Sequence, residues 1–276
     1  MNSHSTSLET PRATISRPDQ SQSTHHPREQ FILPKLQEAV TQAISESKKT
    51  LPSEAKILDI GCGRQPYRTL LQTGQFRYFS FDVEQNKEKT VDFLGYIDQP
   101  LPPTLIQSGP YDLIILTEVL EHVFDLEKCF SNLVELLTPS GTLILTCPFF
   151  FPLHEKPYDF WRMSPFAIEQ LCKKFGLEVL EYRRLGSSLE CWGLLNGHLL
   201  THMQYQNPKN WVDRIKLSLQ QRLLRWFLKL NWNLVRKGAL TRYFSQDQDF
   251  YVSNYFLLKN NRKRPPEGSV SFEKID

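Results

Sequence analysis

The sequence predicts an α/β fold, a mostly parallel sheet with helices on both faces. Three observations predict it. Short apolar runs at residues 57–60, 78–83, 113–117 and 142–147 have the length and composition of buried strands. The stretches between them, residues 66–73, 125–137 and 164–176, read as helices. The first run ends in the turn Gly61-Cys62-Gly63. Near-continuous apolar strands that alternate with helices need cover on both sides, which a parallel sheet receives from its crossovers. Right-handed crossovers then gather the strand ends and their loops along one edge, where such sheets bind ligands.

The 276 residues suffice for one α/β domain with additions. Residues 1–28 are rich in Ser, Thr, Gln, His and Pro, too poor in large apolar side chains to offset their ordering entropy, and read as a disordered tail. Residues 29–49 show helical spacing through Phe31, Leu36, Val40 and Ile44. Two more strands are expected, at 177–183 and 250–258, with a helical insertion at about 190–246 between them. The domain thus runs over 29–259, followed by a polar, flexible tail at 260–276.

Composition narrows the functional classes. Apolar residues make up 40% and charged residues 23%, as expected for a chain with a sizeable core. A net charge of +3 is too small to imply nucleic acid, and no recognised binding module supports that partner. The five cysteines form no CxxC pair, and Cys62, Cys129 and Cys147 lie in apolar runs, where a thiol behaves as a small hydrophobe. A reducing, cytoplasmic setting fits this usage. No apolar run reaches the roughly 18 residues that span a bilayer.

The chemistry begins at Lys56-Ile57-Leu58-Asp59-Ile60-Gly61-Cys62-Gly63. A strand that ends on an acid and two closely spaced glycines makes a tight turn whose backbone can approach a ligand, and Pro66 suits the start of a following helix. Asp82, about 20 residues on at the end of the next strand, is placed to accept hydrogen bonds from a ribose. Two details disfavour a dinucleotide. The run Gly61-Cys62-Gly63-Arg64-Gln65-Pro66 lacks the third glycine of that fingerprint, and Asp59 suits a cationic amino group better than a pyrophosphate. Two further segments follow. Residues 111–123 form a buried strand running into the polar turn Glu118-Val119-Leu120-Glu121-His122, and residues 137–145 form a helix end, a turn and another strand.

In this order the segments resemble the class I S-adenosylmethionine-dependent methyltransferases, and within them the type-11 group, over roughly residues 55–185. The resemblance implies a Rossmann-like sheet of seven strands, the last antiparallel, and S-adenosyl-L-methionine as cofactor. It implies that Asp59, Gly61 and Gly63, with Cys62 between them, line the methionine half. Asp82, beside Val83, would hold the ribose, Asp98 would sit near the adenine and Glu118 would close the pocket. The motif's usual third glycine is Gln65 here.

The loop at 148–162 follows a strand end and so should overhang the transferred methyl group. It offers Phe149, Tyr158, Trp161 and Arg162 to enclose and orient an acceptor. His154 is the first candidate for a general base, His122 the second, and Asp159 can assist either, since an oxygen nucleophile needs a base and imidazole titrates near neutrality. The competing reading pairs Asp159 with Arg162 to hold the loop. The expected function is O-methylation of a small molecule or of a sugar or glycan acceptor, lipid-linked acceptors included, with no metal. One alternative is metal-assisted O-methylation. Glu118-x-x-Glu121-His122 is similar to a metal-binding arrangement in ubiquinone-pathway and small-RNA 2′-O-methyltransferases, and Glu118, Glu121, His122 and His154 could together hold a divalent cation. A second alternative is a non-catalytic protein that binds the cofactor and serves as an interaction module.

Within the insertion, Val212, Ile215, Leu219, Leu223, Trp226, Phe227, Leu230 and Leu234 share a helical face, while Arg214, Arg222, Arg225, Lys229 and Arg236 gather on another. Such a basic amphipathic helix over 209–240 covers the sheet, meets a second copy, or lies on an anionic membrane surface. His198 and His202, four apart, read as structural.

Overall fold

The computed structural model describes residues 32–201, 210–238, 240 and 249–261. The expected tail at 1–28, Phe31, His202, most of the stretch 239–248 and the tail beyond residue 261 lie outside the described residues.

Seven strands form one sheet in the order β3-β2-β1-β4-β5-β7-β6. Strands β1 (Lys56–Ile60), β2 (Arg77–Asp82), β3 (Phe93–Leu94), β4 (Tyr111–Thr117) and β5 (Leu137–Pro148) are parallel neighbours. Strand β7 (Ser253–Asn260) is wedged antiparallel between β5 and β6 (Leu177–Leu185). This is the mostly parallel, seven-stranded arrangement with a reversed last strand that the resemblance implied. The strands were legible because Ile57, Leu58, Leu113, Ile114, Ile115, Leu116, Leu143, Ile144 and Leu145 are all fully buried, as a doubly covered sheet requires.

Helix α1 (Leu33–Ser47) buries Leu36, Ala39, Val40, Ala43 and Ile44 against one face of the sheet, together with Ile57, Ile115 and Tyr255. Helices α4 (Leu126–Leu136) and α5 (Pro165–Phe175) cover the opposite face through Phe130, Leu133, Ile168 and Cys172. Their ends follow from capping: Asp125 and Ser164 accept the backbone N–H of Lys128 and Ala167, and Gly176 closes α5 in the left-handed conformation. All five cysteines are buried and free.

Several boundaries shift. The expected helix at 66–73 shrinks to α2 (Arg68–Leu71), and Pro66 precedes it, because Gln65 and Tyr67 are held in the turn. The last strand starts at Ser253 and runs to Asn260, past the expected end at 258, and Asn261 still donates to the Gly176 carbonyl. The two-residue β3 and the short α3 (Pro103–Ser108) carry too few residues for periodicity to reveal. The insertion contains α6 (Ser188–Thr201) and α7 (Trp211–Arg236), packed on each other. Cys191 and Leu194 of α6 join the core beside Leu185 and Val252.

Candidate functional site

The C-terminal ends of β1, β2 and β4 converge at one edge of the sheet. Beyond β1 the chain turns through Gly61 at φ +66° and Gly63 at φ +48°. At Gly61 the glycine is obligatory, since a Cβ would fall 2.2 Å from Val119 Cγ2. Gln65, where a third glycine is usual, also adopts a positive φ of 57°. Its side chain offsets the strain: Nε2 donates to the Thr90 carbonyl, while Oε1 accepts from Arg68 and the Thr90 hydroxyl. Asp82, at the end of β2, accepts the backbone N–H of Gly63 at 2.8 Å and of Val83 at 2.7 Å, which holds the glycine turn against the acid. Asp98 is buried and accepts from the N–H of Asp125 at the start of α4.

Asp59 is 2% exposed and accepts a hydrogen bond from Tyr78 Oη at 2.8 Å. Burial pushes its carboxyl up to about 7; the Tyr78 bond opposes the shift and Asp82 adds to it. Near neutrality this acid therefore lacks a counter-charge that a cationic ligand group would supply.

A second cluster lies past β4, where Glu118 takes a positive φ of 53° and leads into a 3-10 turn at Leu120–His122. Glu118 donates its N–H to the Thr146 carbonyl, and its Oε1 accepts from Ser253 Oγ at 2.8 Å. Burial raises its carboxyl, against the bonds from Ser253 and Thr146. Glu121 is 1% exposed, and neither carboxylate oxygen has a hydrogen-bond partner. Its Oε1 lies 3.7 Å from His122 Nε2 and 3.7 Å from His154 Nε2.

The tautomers of the two histidines follow from their outer bonds. His122 Nδ1 sits 2.6 Å from the Tyr158 carbonyl, which only accepts, so Nδ1 carries a proton and, in the neutral ring, the lone pair is at Nε2. His154 Nδ1 lies 3.2 Å from Asp159 Oδ2 and 3.3 Å from the Pro152 carbonyl, with the same consequence. Two imidazole lone pairs thus converge on a buried carboxylate, and one donor atom from each of Glu121, His122 and His154 lies within 4.8 Å of the others. Three acceptors without a donor repel one another unless a proton or a cation sits among them. Burial, and after it the charge of Glu118, pushes Glu121 well above the ordinary carboxylate range. Burial also lowers His154, with His122 adding to the effect and Asp159 opposing it.

The loop at 148–162 is held by the residues that were candidates for chemistry. Asp159 accepts two bonds from Arg162, at 2.6 and 2.8 Å, and the backbone N–H of His154. Burial would raise its carboxyl, yet the bonds from Arg162 and His154 leave it below its ordinary value. Arg162 also donates to the carbonyls of Phe151, Pro152 and Trp161. Asp159 is therefore positioned to orient His154 rather than to take a proton from an acceptor. Trp161 Nε1 donates to the Val123 carbonyl. Phe149 stacks on Tyr251 at 4.5 Å and, with Trp161, Arg162 and Met163, lines a cleft of about 540 Å³ that continues between α4 and α5 along Leu126, Ala167 and Leu171. Tyr158 contributes its carbonyl to His122.

Sequence reasoning missed two residues. Glu155 Oε2 lies 3.8 Å from His122 Nε2; it stood inside the loop motif but beside the more conspicuous His154. Ser253 reaches Glu118 across 135 positions of sequence, which no local pattern signals. Replacing Ser253 by Ala removes a neutral donor from a buried carboxylate and is expected to lower stability by about 1–2 kcal/mol in urea unfolding.

A family model described as a methyltransferase domain matches residues 28–182. Among curated proteins, the ubiquinone biosynthesis O-methyltransferases of Rickettsia canadensis and Rickettsia bellii are 28% and 30% identical over 102 and 103 residues. These stretches cover 34% of this chain and 43% and 42% of the two enzymes, so the chain spans under half the length of the curated relatives it matches. Among solved structures, a SAM-dependent methyltransferase from Archaeoglobus fulgidus aligns over 81% of this chain and 94% of its own, with 13% identity and a TM-score of 0.46. The cyclopropane synthase MmaA2 from Mycobacterium tuberculosis aligns over 86% and 95%, with 15% identity and a TM-score of 0.46.

Proposed function

Because the chain belongs to the class I S-adenosylmethionine-dependent methyltransferases, we propose that it transfers the methyl group of that cofactor to a hydroxyl oxygen of a small-molecule acceptor, with a divalent cation held by Glu121, His122 and His154. The observation that carries this reading is the pair of bondless Glu121 oxygens facing two imidazole lone pairs. A carboxylate and two imidazoles are a donor set suited to Mn²⁺, Zn²⁺ or Mg²⁺. The metal-assisted alternative thus gains support over the metal-free reading, with one revision to its ligands. Glu118 is engaged by Ser253, and Glu155, 3.8 Å from His122 Nε2, offers a fourth ligand, a carboxylate.

Asp59, with the backbone of Gly61 and Gly63, would hold the amino-acid half of the cofactor, and Asp82 its ribose. A bound cation would supply the lowering of the acceptor hydroxyl's pKa. Asp159 and the Tyr158 carbonyl orient the two imidazoles from outside, as second partners of metal-ligating histidines do. Arg162 fixes Asp159, and the aromatic wall of Phe149 and Trp161 suits a flat acceptor. The name of the Rickettsia relatives supports an oxygen acceptor and, by analogy only, a hydroxylated ring.

Labelled cofactor and a panel of catechols and glycosides test the reading, alongside metal analysis of the purified protein. Exhaustive chelation is expected to remove the metal and most of the methyl transfer, and Mn²⁺, Zn²⁺ or Mg²⁺ to restore it. Undiminished transfer by metal-free protein would discard the cation and return His154 to the part of a general base.

A further inference from the structure

The longest of the described helices leaves an apolar stripe exposed. Helix α7 packs through Leu228 and Val235, which are buried. On the helical wheel, Ile215, Leu219, Leu223, Trp226 and Leu230 form a separate stripe, and every one of them is exposed, Leu223 at 67% and Trp226 at 64%. The sheet is covered without this stripe, since α1 and α6 close that face through Ile44, Cys191 and Leu194. A covering role for α7 therefore leaves the stripe unexplained.

The charges point to what meets it. Arg214, Lys216, Arg222, Arg225 and Lys229 lie on α7 against one acid, Asp213, whereas the entire chain has a net charge of +3. Arg222 and Lys229 run along one border of the stripe and Lys216 along the other. Trp192, Leu195 and Leu199 of α6 add exposed apolar surface to the same helical pair. A second copy of the chain would bring the same cations to its own interface and set like charges together. A surface of phosphate headgroups over hydrocarbon satisfies both halves of the pattern: tryptophan and leucine enter the acyl boundary, and the basic borders meet the phosphates.

We propose that α7, supported by α6, docks the protein on an anionic lipid bilayer, lying in the plane of the interface. No described helix is long and apolar enough to cross a membrane, which agrees with a surface position. The inference does not depend on the identity of the methyl acceptor.

Flotation of the full chain with vesicles tests it. Protein is expected to float with vesicles containing phosphatidylglycerol, to bind pure phosphatidylcholine at least tenfold less, and to be largely released at about 0.5 M salt, where screening shortens to a few ångström. The double variant Leu223→Glu/Trp226→Glu changes only exposed side chains and is expected to lose binding at least tenfold, with an unchanged thermal melt. Arg222→Gln/Lys229→Gln, which leaves the apolar stripe intact, is expected to abolish the preference for phosphatidylglycerol. The proposal is overturned if the wild-type chain fails to float, or if both variants float as it does. It is equally overturned if sedimentation shows a dimer that the Leu223→Glu/Trp226→Glu variant dissociates, because the stripe then belongs to a second copy.

Discussion

Glu121→Gln is expected to reduce methyl transfer about a hundredfold or more while making the metal-free protein more resistant to heat. The two effects have one origin. The native carboxylate is 1% exposed, has no hydrogen-bond partner on either oxygen and faces two imidazole lone pairs. Its folded pKa lies well above its unfolded value, so the folded state holds the proton over a window in which the unfolded chain has released it. Stability from this group is thus present at low pH and is lost as pH rises through the raised pKa. An amide escapes that loss, so the variant's advantage in melting temperature should be largest at alkaline pH and vanish near pH 4. Added Mn²⁺ or Zn²⁺ should raise the melting temperature of the wild type, because a ligand of the folded state stabilises it, and should leave the variant unmoved. A metal-induced shift of equal size in both proteins would remove Glu121 from the site.

Asp59→Asn should separate cofactor affinity from stability in a similar way. Burial holds this carboxyl at about 7, against 3.8 for an ordinary aspartate, so between these values the folded state keeps a proton that the unfolded chain has lost. Stability from Asp59 therefore declines as pH rises from about 4 to 7 and stays low above. The asparagine variant, which can still accept from Tyr78, is expected to melt a few degrees higher at pH 8 and to lose that margin towards pH 4. In the proposed site, binding of S-adenosylhomocysteine would bring an ammonium group to the same carboxylate, and that interaction requires the proton to leave. Wild-type affinity should fall about tenfold per pH unit below 7. The variant should bind at least about tenfold more weakly at pH 8, with no such slope. Titration calorimetry at pH 6, 7 and 8 reads both affinities, and scanning calorimetry from pH 4 to pH 8 reads the melting margin. A wild-type affinity that ignores pH would place the amino group elsewhere.

The sheet was legible because its strands are buried on both faces, leaving uninterrupted runs such as residues 113–116. The glycine turn was legible for a steric reason: no other residue fits where Val119 crowds Gly61. The loop residues announced their types but not their tasks. Asp159 and Arg162 turned out to be bonded to each other and to the loop backbone, which spacing alone does not distinguish from a site awaiting a ligand. Glu118, expected to close the cofactor pocket, and Glu121, three residues on, stood side by side in the metal alternative, and spacing did not say which of them would be a ligand. The structure separates them through Ser253, from a strand 135 positions later, which supplies a donor to one and none to the other. The apolar stripe of α7 was visible as a period, but whether it was covered depended on α1 and α6 filling the sheet's face first.

The position of β7 gives the helical insertion an unusual independence. Leu185, the last residue of β6, stands opposite Ser253, the first of β7, so the insertion leaves and re-enters the sheet at adjacent points. In bare topology the two strands are a hairpin, and a short turn could join them without changing the register of any strand. Within the insertion the two helices divide the work: α6 carries Cys191 and Leu194 into the core and belongs to the frame, whereas α7, whose stripe the sheet does not use, is the part that can be rewritten or lengthened while β1 to β5 keep their places.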